Sequence, residues 1–465
     1  MTIHFQFEDY LYMGLGMVPV LLVFLATFTT GLSTLVSLRS IYVLCIWVQY
    51  HLSPWLALRV GGWDSILLRA PFISDGLLFS TLCMFGITIG YGRYIPLSGH
   101  SSKQFELYKS NLIRLTPEIL TITSFVFLAL SFFSTILYIG SFDILLYYDG
   151  TRGAGQFDNI GIIQSLINQL RTISIVSGLI SIILMSIMFS ESKSQNKIAI
   201  FPLLFVFILI SSIPLMHSFS RVSGAMFITA SVIIVTIKKP NIPTYIISLL
   251  FITIGIYLSQ IGITHRGIVD GGIMPFIIAA LDPHATQLSS NLDYVNGEVL
   301  IGPGTNFLDA LAPFTALVWA AGNVQTSTID SLLKLLLILQ PLPTSFFGGS
   351  EAFRVGPTLS VVFGTYGSTG ITKPALSELY LLFGNWGAIF LFLLGWVLKA
   401  VDTDIRRRGR MLMLIPYMFC IVAIVAAGHN GLRAFARPFV IALTLFWFFR
   451  FQAANLLNRT ISRAN

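Results

Sequence analysis

The sequence predicts an all-α polytopic membrane protein, and three observations support that class. The 465-residue chain is 55% hydrophobic, and its mean hydropathy is +0.81. Only 10% of its residues are charged, whereas soluble domains carry about 25%. Apolar runs of about 20 residues recur along the whole chain, and each is long enough to cross the hydrocarbon core of a bilayer. Runs such as SIILMSIMF do not alternate as the strands of a membrane barrel do, so the spans are predicted to be helices.

Eleven spans are predicted, and the second is the weakest because Arg39, His51 and Pro54 interrupt or flank it. The spans cover residues 11–30, 40–57, 73–91, 119–140, 172–190, 198–216, 223–237, 244–261, 375–398, 411–428 and 438–450. Two further apolar patches, near 307–321 and 331–340, are short for full spans and could be re-entrant or interfacial helices. The count becomes 12 or 13 if these patches also cross.

The basic residues orient the spans. Of the 28 Lys and Arg, 17 fall in one alternating set of loops, which includes the run RRRGR at 406–410. Cytoplasmic loops carry such an excess. We therefore expect a cytoplasmic C-terminus and a periplasmic N-terminus. The chain starts with the acidic MTIHFQFEDY, which does not resemble a cleavable signal peptide, so the first span is expected to remain as an anchor.

Three parts follow from this topology. Residues 1–261 form an N-terminal membrane bundle of about eight spans, residues 262–374 form a large periplasmic loop, and residues 375–465 form a C-terminal three-span bundle with a cytoplasmic tail. A smaller outer segment at 141–171 is predicted to contain an amphipathic helix. Its apolar residues at helical spacing are Ile160, Ile163, Leu166 and Leu170. We find no internal repeat, which disfavours an inverted-repeat transporter.

The three cysteines and the absent motifs narrow the chemistry. Cys45, Cys83 and Cys420 lie within apolar spans and have no ligand partner at metal spacing, so they are interpreted as packing residues. There is no Walker loop and no GxSxG motif, and the Asp402-Thr403-Asp404 pair falls in a loop that the basic residues assign to the cytoplasmic side. We expect no metal site and no cofactor.

A set of arginines near the outer ends of spans is the most informative cluster. Its members are Arg221, Arg266, Arg433 and Arg437. The rest of the outer side is net acidic, and guanidinium groups bind phosphate in a bidentate manner, so the set suits an anion. The alternative is that each arginine extends to lipid headgroups. His265 and His429 stand beside two of these arginines and could orient a phosphate or move a proton.

Glu378 is the strongest single candidate. It lies about one turn inside the predicted span at 375–398, within the stretch Thr372–Ala400. A carboxylate there needs a protein partner or interfacial water, because a charge at mid-bilayer costs about 2.5–3.5 kcal/mol or more. The stretch before this span, roughly 262–371, is the longest that is not plainly hydrophobic. We expect an active site where that stretch meets the outer end of the span.

The segment GSTGITKPALSELYLLFGNWGAIFLFLLG resembles a motif of the O-antigen polymerases of the Wzy type. Glu378, Tyr380, Phe383, Gly384 and Gly387 fall on the corresponding positions. The Ser-Arg turn that opens a span, the large outer loop and the arginine near the final span are also similar. The resemblance covers the overall topology and about 30 residues of motif. Two features differ: a serine precedes Glu378 where many members have glycine, and neither outer loop holds an Arg-x10-Gly pattern.

The resemblance implies a GT-C-like fold and a glycosyltransferase of the bacterial inner membrane. Such an enzyme joins oligosaccharide repeat units that are carried on undecaprenyl diphosphate, with no nucleotide sugar. The implied catalytic residues are Glu378, His265 and Arg266, and the implied substrate-binding residues are Arg221, Tyr380, Arg433, Arg437 and His429. The implied partners are the lipid-linked oligosaccharide, the bilayer and a chain-length regulator of the Wzz type, with no nucleic acid. The alternatives are an O-antigen ligase that transfers glycan to the lipid A core, and a flippase or transporter of lipid-linked oligosaccharides.

Overall fold

The protein is helical throughout the part that the computed structural model describes. That part comprises residues 6–30, 34–35, 37–60, 72–93, 117–147, 162–191, 194–217, 223–237, 242–264, 271–282, 314, 316–322, 328–339, 374–406, 414–429, 432, 436 and 438–448. It is 94% helical and contains no strand, which confirms the all-α class.

Sixteen helices are numbered here in chain order within the described residues. They are α1 Phe7–Thr30, α2 Leu38–Trp47, α3 Ser53–Val60, α4 Ile73–Tyr91, α5 Pro117–Ile139, α6 Phe142–Leu146, α7 Ile162–Glu191, α8 Ser194–Met216, α9 Ala225–Ile237, α10 Ile242–Thr264, α11 Ile273–Leu281, α12 Thr328–Leu339, α13 Ala375–Phe383, α14 Ala388–Arg406, α15 Leu414–His429 and α16 Pro438–Phe448. A π-helical turn, Val48–Leu52, joins α2 to α3, and a 3₁₀ turn, Gly384–Gly387, joins α13 to α14.

Helices occupy every one of the eleven predicted spans. Within the described residues, five stretches are long and apolar enough to cross a membrane: Phe7–Thr29, Ile73–Tyr91, Leu120–Ile139, Leu170–Ser190 and Ala375–Asp404. Large apolar side chains remain exposed on α1, α5 and α10, such as Phe28, Leu137 and Leu249. A bilayer would cover such surfaces. A multi-pass membrane protein is therefore supported, and the count of eleven crossings stays a prediction.

The amphipathic helix predicted in the segment 141–171 is continuous with the span predicted at 172–190. In the structure, α7 begins at Ile162 and continues without a break to Glu191, over 30 residues. From Ile162 onward, the segment is therefore an extension of the predicted spanning helix.

The chain divides into two compact units. The first unit comprises Met1–Leu112 and Leu300–Asn465, and the second comprises Ile113–Val299. Helices α1–α4 and α12–α16 belong to the first unit, and α5–α11 belong to the second.

Buried hydroxyl groups hold α5 against α7 in the second unit. The Ser131 hydroxyl donates to the Ser174 carbonyl at 2.8 Å, and the Ser174 hydroxyl contacts the Ser131 carbonyl at 2.9 Å. Two turns further along, Ser181 donates to the Ser124 carbonyl at 2.9 Å. Small hydroxyl residues let helix backbones approach closely and bond across the interface, as is common between membrane helices.

Glycines hold α4 against α14 in the first unit. A Cβ atom on Gly90 would stand 2.0 Å from the carbonyl oxygen of Phe392, and one on Gly395 would stand 2.6 Å from the carbonyl oxygen of Ile87. Gly86 and Gly90 have the four-residue spacing that allows such close helix packing. The two backbones touch, and no larger residue fits between them.

Hydrogen bonds fix the direction of α1 relative to α4. The Ser74 hydroxyl donates to the buried carboxylate of Asp9 at 2.7 Å, and the Thr81 hydroxyl donates to the Tyr12 carbonyl at 3.2 Å. Residue numbers rise together along the two helices, so α1 and α4 run parallel. This is the relative direction that the predicted topology requires.

A buried polar cluster lies at the opposite end of these helices. The Asp402 carboxylate accepts the Leu38 backbone N–H at 3.0 Å and the Tyr91 hydroxyl at 2.6 Å. The Arg39 guanidinium donates to the Gly92 carbonyl at 2.8 Å. The sequence assigns Arg39 and Asp402 to cytoplasmic loops, but the structure buries both. They tie the start of α2 to the ends of α4 and α14.

Candidate functional site

The residues predicted as one span at 375–398 form two helices. Gly384 ends α13 with φ +55° and ψ −143°, a conformation that a side chain disfavours. A Cβ atom on Gly387 would stand only 3.2 Å from the carbonyl oxygen of Leu379, whereas residues eight apart in a continuous helix are separated by about 12 Å. The helix is therefore broken at the 3₁₀ turn.

Glu378 lies in the first turn of α13, where the helix N-terminus stabilises a carboxylate. Its side chain is half-buried, and its Oε2 atom accepts the backbone N–H of Leu432 at 2.7 Å. Leu432 directly precedes Arg433 in the short segment between α15 and α16. The structure thus joins Glu378 to the chain segment that bears Arg433 and Arg437.

An apolar cleft of about 220 Å³ borders this contact. Both halves of the broken helix line it, with contributions from α2, α12, α16 and the segment before α16. The lining residues are Tyr42, Leu335, Ala375, Leu376, Leu379, Phe390, Leu391, Leu393, Leu394, Val397, Leu432 and Phe439. Leu432 thus lies on the cleft wall while its amide binds the Glu378 carboxylate. Such a wall suits a hydrocarbon chain.

Tyr380 is a packing residue of α13. It is 5% exposed, and its ring meets that of Phe79 edge to face, with centroids 4.7 Å apart. Asp75, in the first turn of α4, is close enough for its charge to act on the Tyr380 hydroxyl. A role for Tyr380 in substrate binding stays a prediction.

The second unit brings three of its segments together at His217. The Nε2 atom of His217 lies 3.1 Å from the Ile144 carbonyl oxygen, and the His217 carbonyl accepts the Gly272 backbone N–H at 3.2 Å. His217 precedes Arg221 by four residues, and Gly272 follows Arg266 by six. The contact therefore links the turn that leads to Arg221 with the segment that leads from Arg266.

Most of the predicted cations lie outside the described residues. They are Arg221, His265, Arg266, Arg433 and Arg437, and their roles stay predictions. His429 ends α15, and its side chain is likewise outside the described part. Of the predicted site, Glu378 and Tyr380 are therefore the two side chains whose surroundings are known.

Two residues, one in each unit, escaped sequence reasoning. Asp75 is a second carboxylate within a span, close to Tyr380, and its charge inside the run ISDGLLF is a usable signal. His217 looks like a turn residue in MHSFSR, and no sequence pattern predicts its contacts with Ile144 and Gly272.

Neither metal-binding clusters nor similar proteins identify the site further. No three His, Cys, Asp or Glu side chains of the described part meet in a way that could hold a metal ion, and metal independence stays a prediction. The chain matches no protein-family model, no curated protein and no solved structure.

Proposed function

We propose that this chain is a membrane glycosyltransferase that polymerises oligosaccharide repeat units carried on a polyprenyl diphosphate. It would act at the outer face of the bacterial inner membrane and make O-antigen or a related surface polysaccharide. The proposal includes the bilayer and a chain-length regulator of the Wzz type as partners. Its GT-C-like fold and its eleven crossings are part of the same proposal.

The observation behind this proposal is the place of Glu378 beside the apolar cleft. A half-buried carboxylate at the start of α13 and a wall of aliphatic side chains meet at Leu432. The two surfaces match a substrate with a polar head and a long hydrocarbon tail. A soluble sugar or nucleotide would have no use for the cleft.

The proposed reaction needs a base and a stabilised leaving group. A sugar hydroxyl of the acceptor unit attacks the anomeric carbon of the donor glycan, and the bond from that carbon to the diphosphate oxygen breaks. The hydroxyl proton passes to Glu378 or His265, and the lipid diphosphate leaves with the bonding electrons. No nucleotide sugar is required, because the diphosphate bond supplies the driving force.

Arginines would balance the charge that develops on the diphosphate. Arg433 and Arg437 follow Leu432 in sequence and so belong to the segment that Glu378 contacts. Arg266 is assigned a catalytic role and Arg221 a binding role at the phosphates. Fixed guanidinium groups stabilise a leaving diphosphate more strongly than water does, because they need no reorganisation.

A transporter of lipid-linked oligosaccharides is the second candidate. The break at Gly384 favours it, since discontinuous helices line the substrate sites of many transporters. An O-antigen ligase would share the lipid diphosphate and differ in its acceptor, the lipid A core.

Lipopolysaccharide from a strain that lacks this protein separates these functions. Loss of a polymerase leaves the core with one repeat unit, so the gel ladder collapses to a single step. Loss of a ligase or of a flippase leaves bare core. A normal ladder in the deletion strain would exclude all three functions, namely polymerase, ligase and flippase.

A further inference from the structure

Two residues of the first unit line both the apolar cleft and a second, smaller cavity. They are Tyr42 of α2 and Leu376 of α13. Both side chains are 4% exposed. They come from different helices and each borders both spaces, so together they form the wall between the cleft and the smaller cavity.

The smaller cavity differs from the cleft in size. Its volume is about 10 Å³, whereas that of the cleft is about 220 Å³. A cavity of roughly 10–15 Å³ has room for one water molecule and none for a hydrocarbon chain. Besides the two shared residues, the smaller cavity is lined by Cys45, Ile46, Gln49, Tyr50 and Ile424.

The smaller cavity also differs from the cleft in chemistry. Tyr50, one of its lining residues, is 1% exposed, and its hydroxyl has no hydrogen-bond partner among the described residues. A buried hydroxyl without a partner costs free energy, which a bonded water molecule recovers. The Gln49 amide is a second group of this cavity that can bind water. The cavity therefore favours water, and a hydrocarbon chain in it would deny the Tyr50 hydroxyl a partner.

The cleft suits an apolar chain. Apart from Tyr42, every described side chain that lines it is aliphatic or a phenyl ring. Tyr42 is thus the point at which the lining changes from apolar to polar. A hydrocarbon chain gains contacts along the cleft and would lose them beyond Tyr42.

We infer that Tyr42 is a specificity-determining residue, which together with Leu376 ends the binding surface for the polyprenyl tail and keeps the tail out of the smaller cavity. This inference rests on the proposed function, because it takes the polyprenyl chain as the occupant of the cleft. A small side chain at position 42 would join the two spaces. The chain would then extend along Gln49 and Tyr50.

Photoaffinity labelling of purified full-length protein tests this inference. The probes are short prenyl diphosphates that differ in length by one isoprene unit and carry a diazirine on the terminal unit. Labelled residues are identified by mass spectrometry of peptides. In wild-type protein the label should fall on cleft residues such as Leu391 and Leu394 and stay at background on Gln49 and Tyr50. In Tyr42→Ala, the longer probes should also label Gln49 or Tyr50.

Tyr42→Phe is the matched control. It keeps the ring and removes only the hydroxyl, so the wall remains and the wild-type labelling pattern should persist. Tyr245→Ala is a second control, because it removes an exposed tyrosine ring from α10 in the other unit. It too should keep the wild-type pattern.

Label on Gln49 or Tyr50 in wild-type protein would overturn the inference, because the wall would not exclude the chain. The wild-type pattern in folded Tyr42→Ala would overturn it as well. If that variant does not fold, Leu376→Ala opens the wall from the α13 side, and an unchanged pattern there is equally contrary.

The same experiment separates the inference from the proposed function. If no probe labels the cleft of wild-type protein, the proposed tail site and the inference fail together. If the label is confined to the cleft in wild-type protein and in every variant, the tail site stands and only the role of Tyr42 is lost.

Discussion

The carboxylate of Glu378 and the backbone amide of Leu432 are joined by a 2.7 Å hydrogen bond across 54 residues of sequence. The bond fixes the first turn of α13 to the segment between α15 and α16. The accepting atom is Oε2 of the carboxylate. Glu378 is proposed to act both in this hydrogen bond and as a base, and substitutions can test the two roles separately.

Glu378→Gln and Glu378→Ala should make that separation. The glutamine oxygen can still accept the Leu432 N–H, so the variant should fold normally, whereas its lost basicity should abolish long polymer and leave single units. Alanine leaves the amide without this acceptor, at about 1–3 kcal/mol, and should also lower the thermal unfolding temperature. Lipopolysaccharide ladders and unfolding in detergent measure the two effects. A normal ladder from Glu378→Gln would mean that Glu378 does not act as a base and serves only to bind the Leu432 amide.

Arg266→Lys tests whether an arginine serves as a fork or as a point charge. A phosphate clamp needs the planar guanidinium, so lysine should lose about 1.5–3 kcal/mol of charge-assisted bonding, or roughly ten- to a hundredfold in rate. Polymer formation by purified protein on lipid-linked units is compared with wild type and with Arg266→Ala at equal protein levels. If the lysine variant reaches the wild-type rate, the positive charge of Arg266 is sufficient and the fork geometry is not needed. If the alanine variant is fully active, Arg266 is not part of the site.

Reporter fusions check the orientation. Fusions after Arg410 and after Asn465 should report a cytoplasmic location, because the basic residues there resist translocation. A fusion near Asn291 should report a periplasmic location. A cytoplasmic signal at Asn291 would reverse the proposed side of the loop at 262–374.

The contact between α4 and α14 should be intolerant of a single methyl group. Gly90→Ala places a Cβ atom 2.0 Å from the Phe392 carbonyl oxygen, a distance that forces the helices apart. Gly14→Ala is the control, because no atom lies within 4 Å of its Cβ and alanine favours a helix by about 1 kcal/mol over glycine. Thermal unfolding in detergent should fall for Gly90→Ala and hold or rise for Gly14→Ala. Equal unfolding temperatures would contradict the close packing.

His217 should make stability depend on pH. Burial lowers the pKa of His217, and the hydrogen bond to Ile144 opposes this effect while the charge of Arg171 adds to it. The unfolded chain, with a histidine pKa of about 6.5, therefore binds a proton more readily than the folded protein. Stability should be complete above about pH 6.5 and fall as the pH drops below it.

His217→Gln removes the titrating group and keeps a donor for the Ile144 carbonyl. The drop in unfolding temperature between pH 7.5 and pH 5.5 should therefore be smaller in this variant than in wild type. An equal drop in both proteins would assign the acid sensitivity to other groups.

The spans could be predicted because an apolar run of about 20 residues has one stable form in a bilayer, a helix that satisfies its own backbone. Helix α4 occupies residues 73–91, as predicted. The break at Gly384 could not be derived from hydropathy, since the run through LLFGNWGAIF stays apolar on average. Its signal is conformational: a glycine that adopts positive φ, followed by another glycine three residues later.

Site residues could be predicted from the sequence only where a charged residue lies within an apolar span. Glu378 stands out in the sequence because placing a carboxylate within a membrane span costs free energy. Its partner is a backbone amide, which any residue but proline supplies, so nothing in the sequence marks Leu432. The same reason hides the contact between His217 and Gly272. Asp402 was assigned to a loop because its neighbours are polar, and the helix start that it binds at Leu38 lies 364 residues away.

The glycine contacts between α4 and α14 have a mechanical consequence. Two backbones in direct contact can neither slide nor rotate without collision, because the carbonyl of Phe392 is seated against Gly90 and Gly395 is seated against Ile87. Helix α14 is therefore held in a fixed position against α4. Helix α13 is attached to it through a short 3₁₀ turn that begins at a glycine of positive φ. A rotation of α13 relative to α14 would therefore turn at Gly384, and it would carry Glu378 with it.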